Sequence, residues 1–169
     1  IVQFSVAYLE ERGDNSDVQF RETILSQPWK DGEILLYSAS EPTGSGISFA
    51  YLTPAGEGWK VEWRTARNGV TMANCNWRRI GVSRTIDPKD LTLVNGQVCD
   101  IPGATQVRLV WPFPFENEIE ARYEQLSEDG RFLSVREWFI GADHIEVLDV
   151  DGNVIGLSEG PIKRFEAVP

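Results

Sequence analysis

The chain has 169 residues, 41% hydrophobic and 25% charged, and its 26 acidic against 16 basic side chains give a net charge of -10. A domain of this length buries roughly 70% of its unfolded surface, so a core needs neither a metal nor a disulfide. Nucleic acid and anionic membranes are poor candidate partners, because counterion release needs clustered cations and the densest basic feature is the pair Arg78-Arg79.

Taken in chain order, the predicted elements are strands. Val2, Phe4, Val6 and Tyr8 alternate with Gln3, Ser5 and Ala7, and Val18, Phe20, Glu22 and Ile24 alternate with Gln19, Arg21 and Thr23. Residues 18–26 also fit a short helix, against which their β-branched content argues. Ile34 to Ala39 is a β-rich run; Ile47, Phe49 and Tyr51, then Trp59, Val61 and Trp63, resume the alternation. Period-two patterns of this kind belong to half-buried antiparallel strands. Turn signals separate them: Lys30-Asp-Gly32, Pro42 to Gly46, Pro54 to Gly58, Asn68-Gly69, Asn95-Gly96, Pro102-Gly103, Asp129-Gly130 and Asp151-Gly152. Asn-Gly and Asp-Gly supply the positive φ of tight hairpin turns. The strongest hairpin signal joins Ile119–Leu126 to Phe132–Ile140 through Asp129-Gly130; the next joins Ile145–Val150 to Val154–Leu157 through Asp151-Gly152. One short helical turn fits Asp87-Pro-Lys-Asp-Leu91, with Pro88 at its first position.

No repeat, low-complexity tract or linker interrupts the pattern, so a single all-β domain over residues 1–169 is expected. Short connections between successive strands predict a closed antiparallel barrel of about eight to ten strands with at most one short helix. A β-sandwich with longer Greek-key crossovers is the competing architecture. No apolar run approaches the ~20 residues that cross a bilayer as a helix.

Catalytic signatures are absent: there is no G-x-S-x-G, H-E-x-x-H, phosphate-binding loop or dinucleotide fingerprint. The single His144 and the two cysteines, Cys75 and Cys99, cannot build a zinc site, so no metal and no cofactor is expected. The cysteines are expected to be unbridged. Asp149-Val-Asp-Gly-Asn153 has the start of a calcium loop without its later ligands and is better read as a hairpin turn.

The informative residues are polar ones on apolar strand faces, because an inward charge is costly unless it is paired or used. Glu137 interrupts the row Leu133, Val135, Phe139; Glu22 interrupts Val18, Phe20, Ile24; Arg79 shares a face with Ala73, Cys75 and Trp77. With Trp63, Trp111 and Tyr123 on inward faces, these residues predict a cavity lined by Trp63, Trp77, Trp111 and Tyr123, with Arg79, Glu22 and Glu137 as its polar contacts. That is the usual make-up of a small-molecule site; a filled core with an internal Arg–Glu pair is the structural alternative. Val110-Trp-Pro-Phe-Pro-Phe115 cannot be a central strand at its prolines. It is expected to plug the barrel, or to form a lid or a docking surface for a protein partner.

The strand pattern resembles the calycin superfamily of lipocalin-like ligand barrels. The hairpin from Ala121 to Glu137, with Arg122-Tyr123-Glu124, Asp129-Gly130 and the acidic Glu137, resembles one in phycobiliprotein lyases. The resemblance covers about a tenth of the chain and implies a bound bilin, with Arg79 or Arg122 near its propionates and Glu137 near its pyrrole nitrogens. The chain departs from that family where it closes on Pro161-Ile-Lys-Arg-Phe-Glu166, without the family's aromatic-cysteine-acidic ending.

Three functional expectations follow. The first is a small-molecule binding barrel for an apolar, carboxylate-bearing ligand, such as a bilin held by a lyase-like chaperone. The second is a cyclase or isomerase in which a buried Glu137 or Glu22 acts as acid or base. The third is a non-catalytic accessory subunit that docks through Trp111–Phe115.

Overall fold

A computed structural model describes residues 19–41, 44–64, 77–83, 91–112, 119–137, 142–159 and 165–168. The predicted strand at Val2–Tyr8, residues 87–90 of the predicted helical turn and the segment Phe113–Phe115 lie outside the described residues, while Leu91, the last residue of that turn, is in a strand. Among the described residues the chain is all-β, with antiparallel sheets and no helix. No described helix is long and apolar enough to cross a membrane. The chain divides into two compact units, Ile1–Ala73 and Asn74–Pro169.

The first unit holds an antiparallel meander in the order β1 (Gln19–Trp29), β2 (Gly32–Glu41), β3 (Gly44–Ala55), β4 (Gly58–Arg64). The run Ile34 to Tyr37 is buried residue after residue, as are Ile47 to Leu52. Unbroken burial means that both faces of β2 and β3 are covered here, which corrects the half-buried strand expected at Ile47–Tyr51: Ser48 and Ala50 are buried along with Ile47, Phe49 and Tyr51. On one face Leu35, Tyr37, Ala50 and Leu52 cluster with Trp59 and Val61. Gly32 is required by close approach: a Cβ there would lie 2.0 Å from the Leu52 carbonyl oxygen.

Two β-bulges correct the expected faces. Phe20 lies opposite Ala39 but Glu22 opposite Ser38, the adjacent residue, so Glu22 does not continue the row of Phe20. Val61 lies opposite Leu52 and Trp63 opposite Tyr51, so the register shifts by one residue at Glu62. An extra residue in one strand flips everything beyond it to the other face.

The second unit contains two sheets. The smaller has the order β5 (Trp77–Ser83), β6 (Leu91–Gln97), β9 (Arg131–Glu137). The larger has the order β12 (Glu166–Ala167), β11 (Val154–Glu159), β10 (His144–Leu148), β7 (Gln106–Pro112), β8 (Ile119–Gln125). Neither sheet closes on itself among the described residues. The expectation that successive strands pair throughout is corrected here, since β6 pairs with β9 and β7 with β10. Both are pairings between strands that are not consecutive in the chain. Val94, Val98, Val107, Leu109, Trp111, Phe132, Ile145, Val147 and Phe165 form one core from both sheets, and Phe132 meets Phe165 edge to face at 6.1 Å.

The Asp129-Gly130 turn forms, but the strands beside it do not ladder as the sequence predicts. β8 is claimed by β7 and β9 by β6. At the corner the Leu126 amide donates to Thr105 and the Val98 amide to the Gly130 carbonyl, 2.8 Å away, so both chain ends are held by other strands. The Asp151-Gly152 turn does join a paired hairpin, β10 with β11. Asp149 Oδ1 accepts the Asp151 and Asn153 amides and Oδ2 accepts Asn153 Nδ2. Its carboxylate therefore serves the turn. Cys99 is disulfide-bonded, which corrects the expectation of unbridged thiols; the chain's other cysteine, Cys75, lies outside the described residues.

Candidate functional site

The predicted site residues fall in both compact units. Glu22 and Trp63 belong to the first unit, and Trp77, Arg79, Trp111, Arg122, Tyr123 and Glu137 to the second. The register of β5, β6 and β9 aligns Trp77 with Gln97 and Arg131, Arg79 with Asn95 and Leu133, and Ser83 with Leu91 and Glu137. Positions 77, 79 and 137 thus share one parity in the smaller sheet, as the alternation implies. Glu137 nevertheless sits exposed at the strand end, and Glu22 is exposed as well. Burial therefore distinguishes neither carboxylate as the acid or base of an isomerase.

Tyr123 is corrected most clearly, being 56% exposed instead of inward. The reason is visible in β8, where Ala121, Tyr123 and Gln125 are exposed and Glu120, Arg122 and Glu124 are half-buried. The charged residues take the covered side because they find partners there. Arg136, buried on β9, pairs with Glu120 and places its guanidinium 4.8 Å from the ring centre of Trp111. Arg122 donates to the Val135 carbonyl oxygen at 2.6 Å and lies 3.6 Å from Glu120. This seam brings Trp111 and Arg122 to the same carboxylate. Its cation is desolvated, paired and stacked on an aromatic face, which is how a buried guanidinium is made tolerable. Trp111 itself is 1% exposed within the core, so it is not available as a lid or docking residue. The seam is structural.

The opposite face of the larger sheet carries the groups available to a ligand. Cross-strand register sets Tyr123 on β8 opposite Arg108 on β7, and Arg108 opposite Glu146 on β10. The Arg108 guanidinium pairs with Glu146 and also hydrogen-bonds the Tyr123 side chain. Both partners push the Arg108 pKa up. Arg108 in turn holds the Glu146 carboxyl below the usual carboxylate range, with His144 adding to the effect. His144 stands between two acids, its Nδ1 3.0 Å from Asp143 Oδ2 and its Nε2 3.7 Å from Glu146 Oε1. Four side chains from three strands, with Asp143 in the bend before β10, thus form one string: Tyr123, Arg108, Glu146, His144, Asp143.

Sequence reasoning passes over Arg108, His144 and Glu146, although the signal is present. Arg108 alternates with Val107 and Leu109, and Glu146 with Ile145 and Val147, all four of them buried. Polar residues in that register mark an outer face. Among the described residues no group of three or more His, Cys, Asp or Glu could hold a metal. No protein-family model, curated protein or solved structure matches the chain.

Proposed function

We propose that this chain is a non-catalytic binding module that receives a soluble ligand on the outer face of its five-stranded sheet. The observation that carries the reading is the exposed Tyr123 fixed beside Arg108, whose own charge is met by Glu146. A tyrosine offers broad contact area at small entropic cost, and neighbours already locked by cross-strand pairs lose little freedom on binding. The aromatic core supports the same reading, since Trp111 and Phe132 are buried in the cluster shared by the two sheets of the second unit.

A fragment screen by saturation-transfer NMR tests it. Wild type and the double variant Tyr123→Ala/Arg108→Gln are compared after both are shown to be folded. Hits lost in the variant support an outer-face site, and hits unaffected by it overturn that site. Purified protein carrying a visible chromophore would also overturn it, favouring instead the closed calycin barrel and bilin ligand implied by the sequence resemblance.

A further inference from the structure

Resting on the outer-face reading, we infer that the ligand is a polyhydroxylated molecule, a saccharide, stacked on Tyr123 and hydrogen-bonded by Arg108, Glu146 and His144. Arg108 and Glu146 neutralise one another, so neither an anion nor a cation finds an uncompensated opposite charge at the centre of the string. What remains is a mixed array: the guanidinium donates, the carboxylates of Glu146 and Asp143 accept, and the imidazole and phenol can do both. A hydroxyl group also donates and accepts, so a molecule bearing several of them matches such an array where a purely anionic or cationic ligand does not.

Shape and polarity point the same way. A protein interface is built around a fully buried apolar centre. Here the exposed neighbours of Tyr123 along β8 are Ala121 and Gln125, and the rest of the string is charged or polar. One aromatic ring in a polar array suits a small ring with apolar C–H faces and a hydroxylated rim, which is the surface of a pyranose. The net charge of -10 argues against the sugar-phosphate backbone of a nucleic acid as the source of those hydroxyls. The disulfide at Cys99 fits an oxidising compartment, where polysaccharides are met outside the cell.

Chemical-shift mapping decides between the outcomes. The full chain, labelled with ¹⁵N, is titrated with maltohexaose, cellohexaose, xylohexaose and chitohexaose, and with citrate and spermine as charged controls. Support is a saturable shift with at least one oligosaccharide, centred on residues 107–109, 121–125 and 144–147. Tyr123→Ala should weaken that binding roughly tenfold or more, equivalent to about 1.4 kcal/mol, while Tyr123→Phe, which keeps the ring, should retain most of it. If citrate or spermine shifts those amides and no oligosaccharide does, the saccharide assignment is overturned and the outer-face reading stands. If oligosaccharide shifts fall elsewhere, or persist unchanged in Tyr123→Ala, both are overturned. If no oligosaccharide shifts any amide at millimolar concentration, the saccharide assignment is overturned.

Discussion

Replacing Gly130 with alanine probes the corner where the two sheets of the second unit part. Gly130 has φ +77°, and a Cβ built there would stand 2.0 Å from the Val98 carbonyl oxygen and 3.2 Å from its carbon. The obstacle is backbone, so no rotamer relieves it. Holding an L-residue in the left-handed region costs ~1–2 kcal/mol. Moving the chain away to make room gives up the hydrogen bond from the Val98 amide to the Gly130 carbonyl. Val98 is buried, and stranding a buried donor costs roughly 1–3 kcal/mol. The expected loss for Gly130→Ala is therefore roughly 2–5 kcal/mol. Gly152→Ala is an internal control, because Gly152 has φ +82° with nothing within 4 Å of its Cβ, and only the ~1–2 kcal/mol backbone cost applies. Urea unfolding of wild type and both variants measures the difference. Equal losses for the two substitutions would refute the close approach of β9 to Val98.

Acid should destabilise the protein through carboxylates whose folded pKa lies below its unfolded value: Asp149, held down by Asn153, Glu146 by Arg108, and Asp31 by the Tyr51 hydroxyl. Their contribution is complete above the unfolded values of 4.5 for Glu and 3.8 for Asp and is lost as pH falls through the lower folded ones. Unfolding midpoints followed from pH 7 to pH 2 should fall in that window, and less steeply in Glu146→Gln. At the alkaline end, burial and the 2.7 Å bond to Asp31 push the Tyr51 pKa up to about 12 from 10.0. The unfolded chain ionises first, so stability should decline as pH rises from 10 towards 12, and Tyr51→Phe should remove that decline. Cys75 is the only partner within the chain for Cys99, closing a loop whose loss on reduction should cost roughly 3–4 kcal/mol. Thiol alkylation before and after reductant shows the bridge, and thermal melts give the cost.

Much of the strand content is legible in the sequence because alternation and turn chemistry are local. Residues 34–37 read as a β-rich run, but the alternation at 47–51 predicts a half-buried strand, whereas Ser48 and Ala50 are buried as well; Asp149-Val-Asp-Gly-Asn153 carries its own turn in the bonds that Asp149 makes to its neighbours. The assignment of faces survives only where no bulge intervenes. One register shift, between Phe20 and Glu22, removes Glu22 from the row that suggests an inward acid. Another, between Tyr51 and Leu52, breaks the simple alternation between Val61 and position 63. Neither shift has a glycine or proline at the bulged position to announce it, since Arg21 and Glu62 are the residues passed over.

β8 shows the deeper limit. Alternation along Glu120, Ala121, Arg122, Tyr123, Glu124 and Gln125 fixes which residues share a side but not which side is covered. Hydrophobicity alone would bury Ala121 and Tyr123. The chain instead turns Glu120 and Arg122 to the covered side, because Arg136 on β9 and the Val135 carbonyl satisfy them there. Arg136 arrives from 16 residues away and stacks on Trp111, so the sign of the β8 face depends on three strands at once. Pairing a buried charge outweighs burying one phenol ring, because an unpaired buried charge costs several kcal/mol and an exposed tyrosine forfeits about 1.5–3 kcal/mol at most. The same choice leaves Tyr123 on the outer face, across from Arg108. The ion pairs of the seam thus fix the orientation of the aromatic ring on which the proposed binding surface depends.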